Sequence, residues 1–262
     1  MMVRRISRLN FLVEVLLVAS LLWFWGIVPG RANQLQAIQE RGRLIVAVKD
    51  DLRPLGFRDG QGNLQGLEID LAKRLAGAIV GNEGAIELRP VLNRDRLNWV
   101  TSHQVDLTIA QVTATIPRNR IVMFSVPYYA DGTSLVSRQI NRLQELNQGL
   151  VAVLPNSSAI AEIRHRFPGV SLLTVNSYAD ALAALEAGRA IAFAGDTTVL
   201  AGWVQTYPSY RLFANVGLYS YNLAVVMPKG LQYNSLHQQV NDTIRQSQNW
   251  LRERINFWGL PE

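Results

Sequence analysis

Thr108-Ile-Ala-Gln-Val-Thr-Ala-Thr-Ile-Pro-Arg118, continuing through Phe124-Ser-Val-Pro-Tyr-Tyr129, is the stretch from which the fold is read. It opens as an apolar strand from Val105 and breaks into two threonines, a proline and an arginine. Arginine presents a rigid fork of donors that matches a carboxylate, and each threonine adds a hydroxyl and a backbone N–H. Thr113, Thr115 and Arg118 therefore read as a carboxylate clamp at the C-terminal end of a sheet strand, where ligands sit in open α/β sheets. A plain strand-to-turn junction with an exposed arginine is the other reading of the same residues.

At 262 residues the chain is long enough for one large domain or two ordinary lobes. Hydrophobic content of 48% with 18% charged residues describes a globular chain, not a disordered one. The net charge is +6, but Arg4, Arg5, Arg8 and Arg31 against Glu14 place +3 of it in the first 32 residues. The remaining +3 is no footprint for nucleic acid, and no basic stripe is interleaved with aromatics. With no cysteine, disulfides, thiolate catalysis, cysteine zinc sites and a lipid-modified N-terminal cysteine are all excluded.

Thr-x-Thr-x-x-Arg, followed six residues later by Phe-Ser and then by Pro-Tyr-Tyr, resembles the family 3 extracytoplasmic solute-binding proteins, the receptors of polar amino-acid ABC importers. The resemblance runs from about Leu44 to Gly259, whose closing Phe-Trp-Gly is similar to the end of the family's last helix. It implies an α/β fold of the two-lobed periplasmic-binding-protein kind (type II), with two parallel-type sheets joined by two crossing strands. It also implies a monomer without cofactor or metal that closes on an amino acid by hinge bending and is recognised by a membrane permease.

Residues 1–32 read as a targeting segment. A basic start is followed by an uncharged, mostly apolar run of 14 residues from Val15 to Val28, and then by Pro29-Gly-Arg-Ala32. That order of zones describes a secretory signal peptide cut after Ala32. Phe11-Leu-Val13 can lengthen the apolar run if Glu14 is tolerated, which leaves an uncleaved membrane anchor as the alternative. Either way the rest of the chain works outside the cytoplasm, in the periplasm.

Leu44-Ile-Val-Ala-Val48 is a short apolar run of the kind expected of a buried parallel strand. Residues 57–64 read as a hairpin turning at Asp59-Gly60. Gly60, Gly62 and Gly66 miss the dinucleotide fingerprint by one residue, so nucleotide binding is discarded. Leu67, Leu71, Ala72, Leu75 and Ile79 recur at helical spacing up to Gly81, and Glu68 and Asp70 near the start suit the helix dipole. Residues 86–91 read as a strand, 93–102 as a short helix and 132–138 as a crossing strand. Alternating strands and helices then run from Gly149 to the helix carrying Leu200 and Trp203, with Ser177 and Asp180 as a capping pair. A long strand over 219–227 is the second crossing, and 236–256 is one helix. The lobes this implies are residues 40–130 with 225–262, and 131–224 with hinge strands at its ends.

A buried free amino acid needs a cation, an anion and a third matched subsite. The resemblance assigns the α-carboxylate to Arg118 and Thr113. The helix N-terminus after Pro155-Asn-Ser-Ser158, including Ser157, adds donors for an anion. Asp196, ending an apolar strand, is the position that receives the α-ammonium in the family; a helix cap is its other reading. Many members carry an acid and then an aromatic after the first strand, where this chain has Lys49 and Leu52. Lys49 is similar to the basic residue of members that bind glutamate, aspartate or their amides, and Arg96 matches a second basic position. With Gln111, these would meet the ligand's distal group; pairing of Lys49 with Asp50 or Asp51, and a surface position for Arg96, is the alternative. Asn93 and Tyr221 are further wall positions left unassigned.

Two other function classes compete. A tethered extracytoplasmic sensor would keep the N-terminal helix. A prephenate- or arogenate-dehydratase-like enzyme would need an acid or base in the cleft, for which Asp196 or Asp51 would serve. His103, His165 and His237 fall in helices or at helix ends, and no nucleophile motif or metal spacing is present, so a non-enzymatic receptor is the expectation.

Overall fold

The computed structural model describes residues 33–261 apart from Asn156. The signal-peptide or anchor segment read at residues 1–32 lies outside the described residues. Among the described residues, no helix is long and apolar enough to cross a membrane.

Helix α1 (Gln34–Arg41) leads into β1 (Leu44–Val48). A small antiparallel ribbon follows, made of β2 (Asp51–Leu52), β3 (Gly56–Arg58) and β4 (Leu64–Gln65). Its turn is held by the Asp59 carboxylate, which accepts the backbone N–H groups of Gln61 and Asn63. At Gly66 the backbone reaches φ 129°, and a Cβ there would stand 2.2 Å from the Leu55 carbonyl oxygen, so only glycine fits this entry to α2 (Leu67–Val80). Leu67, Leu71, Ala72, Leu75 and Ile79 are all buried, as their spacing requires, and the helix ends at Gly81 in the left-handed conformation. Next come β5 (Ile86–Pro90), α3 (Asn98–Thr101), β6 (Leu107–Ile109) and β7 (Met123–Phe124).

The chain continues through β8 (Tyr129–Ser137), β9 (Leu150–Val153), α4 (Ala159–Arg166), β10 (Ser171–Thr174) and α5 (Tyr178–Glu186). The Ser177 hydroxyl caps α5 by accepting the Asp180 N–H at 3.0 Å, as the spacing predicts. Then follow β11 (Ala192–Asp196), α6 (Thr197–Thr206), β12 (Arg211–Phe213), β13 (Ser220–Leu223), β14 (Val226–Met227), α7 (Asn234–Gln246) and α8 (Gln248–Phe257).

Two mixed sheets result. The first has the order β5-β1-β6-β14-β7, with β5, β1 and β6 parallel and β14 antiparallel to both its neighbours. The second has the order β10-β9-β11-β8-β12, again with three parallel strands extended by antiparallel ones. Each parallel core is covered on both faces, which is why its strands are apolar at successive positions instead of alternating. Val46 and Val48 pack toward α2 and α7 while Ala47 packs toward Val100 and Val105 on the other side. In the second sheet Val151 and Val153 face one apolar cluster and Ala152 the other.

Strand β8 carries the chain from the first sheet to the second. Its first half pairs with β13, from Tyr129↔Leu223 to Gly132↔Ser220, and its second half with β11 and β12. The single strand expected over 219–227 is in fact two, β13 and β14. Between them Ala224 donates its N–H to the Val112 carbonyl at 3.1 Å and the Val225 carbonyl accepts from Ser125 at 3.0 Å. The chain changes partners there because it is changing sheets. The helix expected over 236–256 is also two, broken at Ser247 (φ −99°, ψ 16°), whose hydroxyl accepts from Arg74. Apolar spacing continues across the break, so periodicity alone does not reveal it. The C-terminal segment returns to the first core, where Leu236, Val240, Ile244, Leu251 and Leu260 are buried.

Candidate functional site

A cleft of about 530 Å³ opens between the ends of the two sheets, lined on one side by Arg96, Gln111, Thr113 and Arg118 and on the other by Asp131, Ser158, Asp196 and Tyr221. The cationic side is built where β6 ends. Thr113 forms an isolated antiparallel bridge with Leu223, and Ala114 donates to the Asn222 carbonyl at 2.9 Å, so the threonine segment rests on the returning strand. Pro117 then opens a 3-10 turn over Arg118–Arg120. The Arg118 guanidinium folds back, Nη1 donating to the Thr113 carbonyl at 2.9 Å.

Arg96 lines this cleft and is not a surface residue of the short helix. Its Nη1 donates to the carbonyls of Ala110 (2.8 Å) and Gln111 (2.7 Å), and its Nε to Asn93 (3.1 Å), so the guanidinium satisfies the strand's terminal carbonyls. Burial and the neighbouring Arg118 charge both lower its pKa. Among the described residues, neither Arg96 nor Arg118 forms an ion pair.

The anionic side is built where β11 meets α6. Asp196 ends the strand in extended conformation, but its side chain makes no capping hydrogen bond. The start of α6 is served from the neighbouring strand β8, where Asp131 accepts the Thr198 N–H at 3.1 Å and the Thr198 hydroxyl at 2.7 Å. The helix-cap reading of Asp196 therefore belongs to Asp131, and the Asp196 carboxylate stays in the cleft. Burial, with Asp131 beside it, pushes the Asp196 pKa up to about 6. Asp131 is likewise raised by burial, against the pull of its Thr198 and Gly132 donors. A carboxylate held in this way is stabilised by any cation brought next to it.

Of the seven residues singled out in the sequence, the cleft brings together Arg96, Gln111, Thr113, Arg118 and Asp196. Ser157 is displaced by one position: its hydroxyl accepts the Ala159 N–H at 3.2 Å at the start of α4, and Ser158 is the serine in the lining. Lys49 is outside the lining. It is buried, donates toward the Val91 carbonyl at 3.4 Å and pairs with Asp51 at 2.9 Å. Asp131 escaped the sequence reading because it sits far along the chain from the helix it serves. Tyr221 is fixed by its hydroxyl, which donates to Glu162 at 2.8 Å. Among the described residues no group of three or more His, Cys, Asp or Glu is placed to hold a metal ion.

The chain matches the bacterial extracellular solute-binding proteins, family 3, over residues 44–258, and it belongs to that family. The glutamine-binding protein of Geobacillus stearothermophilus is 36% identical over 185 residues, 69% of this chain and 71% of that one. The glutamate-binding protein GluB of Corynebacterium glutamicum is 29% identical over 177 residues, 64% of this chain and 60% of that one. Among solved structures, a solute receptor for L-cysteine of Neisseria gonorrhoeae aligns with a TM-score of 0.62 at 27% identity, covering 85% of this chain and 92% of that one. The fold is the type II periplasmic-binding-protein fold.

Proposed function

We propose that the protein is a periplasmic receptor that captures a polar amino acid and delivers it to the permease of an ABC importer. Residues 40–130 with 225–262 form one lobe and 131–224 the other, and the lobes close on the ligand about the β8 and β13 strands. Arg118 and Thr113, with the start of α4, grip the α-carboxylate. Asp196 receives the α-ammonium. Arg96 and Gln111 meet the distal group, which makes glutamate, aspartate or their amides the ligand class. The receptor works as a monomer, and neither nucleic acid nor a cofactor enters the scheme.

The observation that carries this reading is the charge plan of the cleft. Among the described residues, two guanidiniums that form no ion pair face carboxylates that form none, and such charges in a half-buried site favour a ligand that supplies both counter-charges. The glutamine- and glutamate-binding relatives support the ligand class. Lys49 enters only as a neighbour of the site, since it is held by Asp51.

One observation favours a second reading, an enzyme acting on a prephenate-like acid. An aspartate with a pKa of about 6 in a cleft is suited to proton transfer near neutral pH. Thermal unfolding of the purified protein against the twenty amino acids and prephenate separates the two. A ligand present at about a hundred times its Kd stabilises the native state by about 2.7 kcal/mol, a rise of roughly 5 °C or more for a chain of this size. Glutamate, aspartate or their amides are expected to give that rise. A rise with prephenate, accompanied by its conversion, would replace the receptor by the enzyme.

A further inference from the structure

Beneath the cleft lies a carboxylate that the binding scheme leaves unused. Glu68, in the first turn of α2, is completely shielded from solvent. Its Oε1 accepts the Tyr128 hydroxyl at 2.5 Å and the Gln111 backbone N–H at 2.6 Å, while its Oε2 is buried without a hydrogen-bond partner. Burial pushes the Glu68 pKa up, and the two donors with the charges of Arg96 and Lys49 pull it back. Burial is the largest of these influences, and Oε2 has neither a donor nor an acceptor beside it.

Gln111 stands between this carboxylate and the cleft. Its backbone is in the left-handed region at φ 50°, uncommon for a residue other than glycine. Glu68 holds its N–H on one side and Arg96 holds its carbonyl at 2.7 Å on the other. Its side chain also donates to Thr198 at 3.2 Å, across the cleft. The Ala110–Gln111 peptide group, whose N–H goes to Glu68 and whose carbonyl accepts from Arg96 at 2.8 Å, thus links a buried carboxylate to the guanidinium that faces the distal end of the ligand. Such an over-determined, strained residue belongs to sites where geometry is held for function.

We propose that Glu68 is a specificity-determining positioning residue. By offsetting the field of Arg96 through the Ala110–Gln111 peptide, it lets the distal end of the cleft favour a neutral amide side chain over a carboxylate. The inference rests on the receptor reading above and deepens it from polar amino acids to the amide-bearing ones. Removing a unit charge close to a ligand carboxylate, in a site of effective dielectric about 20, changes its affinity by at least about tenfold and that of an amide little.

The test is calorimetric titration of glutamine and glutamate into the wild type and Glu68→Gln at neutral pH. The variant keeps an oxygen to accept from Tyr128 and Gln111, removes the charge, and places its amide NH2 where Oε2 has no hydrogen-bond partner. The expected result is an affinity ratio of glutamate to glutamine that rises at least about tenfold. Equal losses for both ligands, or no change, would reduce Glu68 to a structural role and overturn the proposal. Should Glu68→Gln fail to fold, Glu68→Asp carries the test, because it draws the charge back from Gln111 by one methylene. There the ratio is expected to rise about threefold, and an unchanged ratio overturns the proposal. A wild type that binds neither ligand removes the receptor reading and this inference together, whereas binding with an unmoved ratio removes the inference alone.

Discussion

The side of the cleft that carries Arg96, Gln111, Thr113 and Arg118 comes from one continuous run of chain, Asn93 to Arg118, whereas the side that carries Asp131, Ser158, Asp196 and Tyr221 is gathered from four separate segments. Their chemistry differs in the same way. Both guanidiniums are tied to carbonyls of their own segment, Arg118 to Thr113 and Arg96 to Ala110 and Gln111. The carboxylates depend on long-range pairing, with Asp131 bonded to Thr198 across a gap of 67 residues. The guanidiniums of the cationic side are therefore held locally, although the Thr113 segment rests on the returning strand, and the anionic side exists only when the second sheet is assembled.

Breaking the cationic side gives the largest expected effect. Arg118→Ala removes charge-assisted donors to the ligand's carboxylate, each worth about 1.5–3 kcal/mol, and is expected to weaken amino-acid binding by at least about a hundredfold. Because the guanidinium's bond within the protein is to its own loop, the unfolding midpoint without ligand is expected to move little. Calorimetric titration beside a thermal melt checks both halves. Wild-type affinity in this variant removes Arg118 from the site.

The anionic side is probed more gently, by pH. Asp196 has a folded pKa of about 6 against an ordinary value of 3.8. Between those values the folded protein binds more protons at this site than the unfolded chain does, so its contribution to stability is present at low pH and is lost as pH rises through about 6. Binding runs the other way. An α-ammonium requires the ionised carboxylate, so affinity for glutamine, whose own groups do not titrate in this range, is expected to fall as pH drops below about 6. The fall approaches about tenfold per unit. Asp196→Asn should bind weakly and without that slope. A slope that persists in the variant assigns the titration to another group, Asp131 or Glu68, each also raised by burial.

The same contrast between local and gathered structure governs what was legible beforehand. Strand β1, helix α2 with its glycine stop and the Ser177–Asp180 cap are each decided by residues within a few positions of one another, and each stands as read. The position of Thr113 and Arg118 beyond the end of β6, in the cleft lining, is legible for the same reason. Ser157 was read one residue away from Ser158 because a serine beside a helix start serves as cap or lining with equal ease, and only the backbone chooses. Asp131 was not legible, since nothing near it in sequence announces the helix it serves. Glu68 looked like an ordinary acid in a first turn. Its burial follows from Tyr128 and Gln111 arriving from distant segments. The break between β13 and β14 likewise needs the partner strands before it has a cause.

Lys49 gives the finest test of the comparison, because its basic character suggested a place on the cationic side and its surroundings put it elsewhere. It follows β1 but turns to Asp51, whose carboxylate is 2.9 Å away and largely exposed. An ion pair with one exposed partner contributes about 0–1 kcal/mol. The Lys49 ammonium also donates toward the Val91 carbonyl at 3.4 Å, and the residue is outside the cleft lining. Lys49→Ala is therefore expected to change the affinities for glutamate and glutamine by less than about threefold each and to leave their ratio almost unmoved. Titration of both ligands checks it. A loss of affinity for glutamate about tenfold larger than for glutamine would mean that Lys49 leaves Asp51 when the lobes close and joins Arg96 at the distal carboxylate. The cationic side would then draw on a second segment of chain, and its contrast with the opposite side would narrow to one of charge.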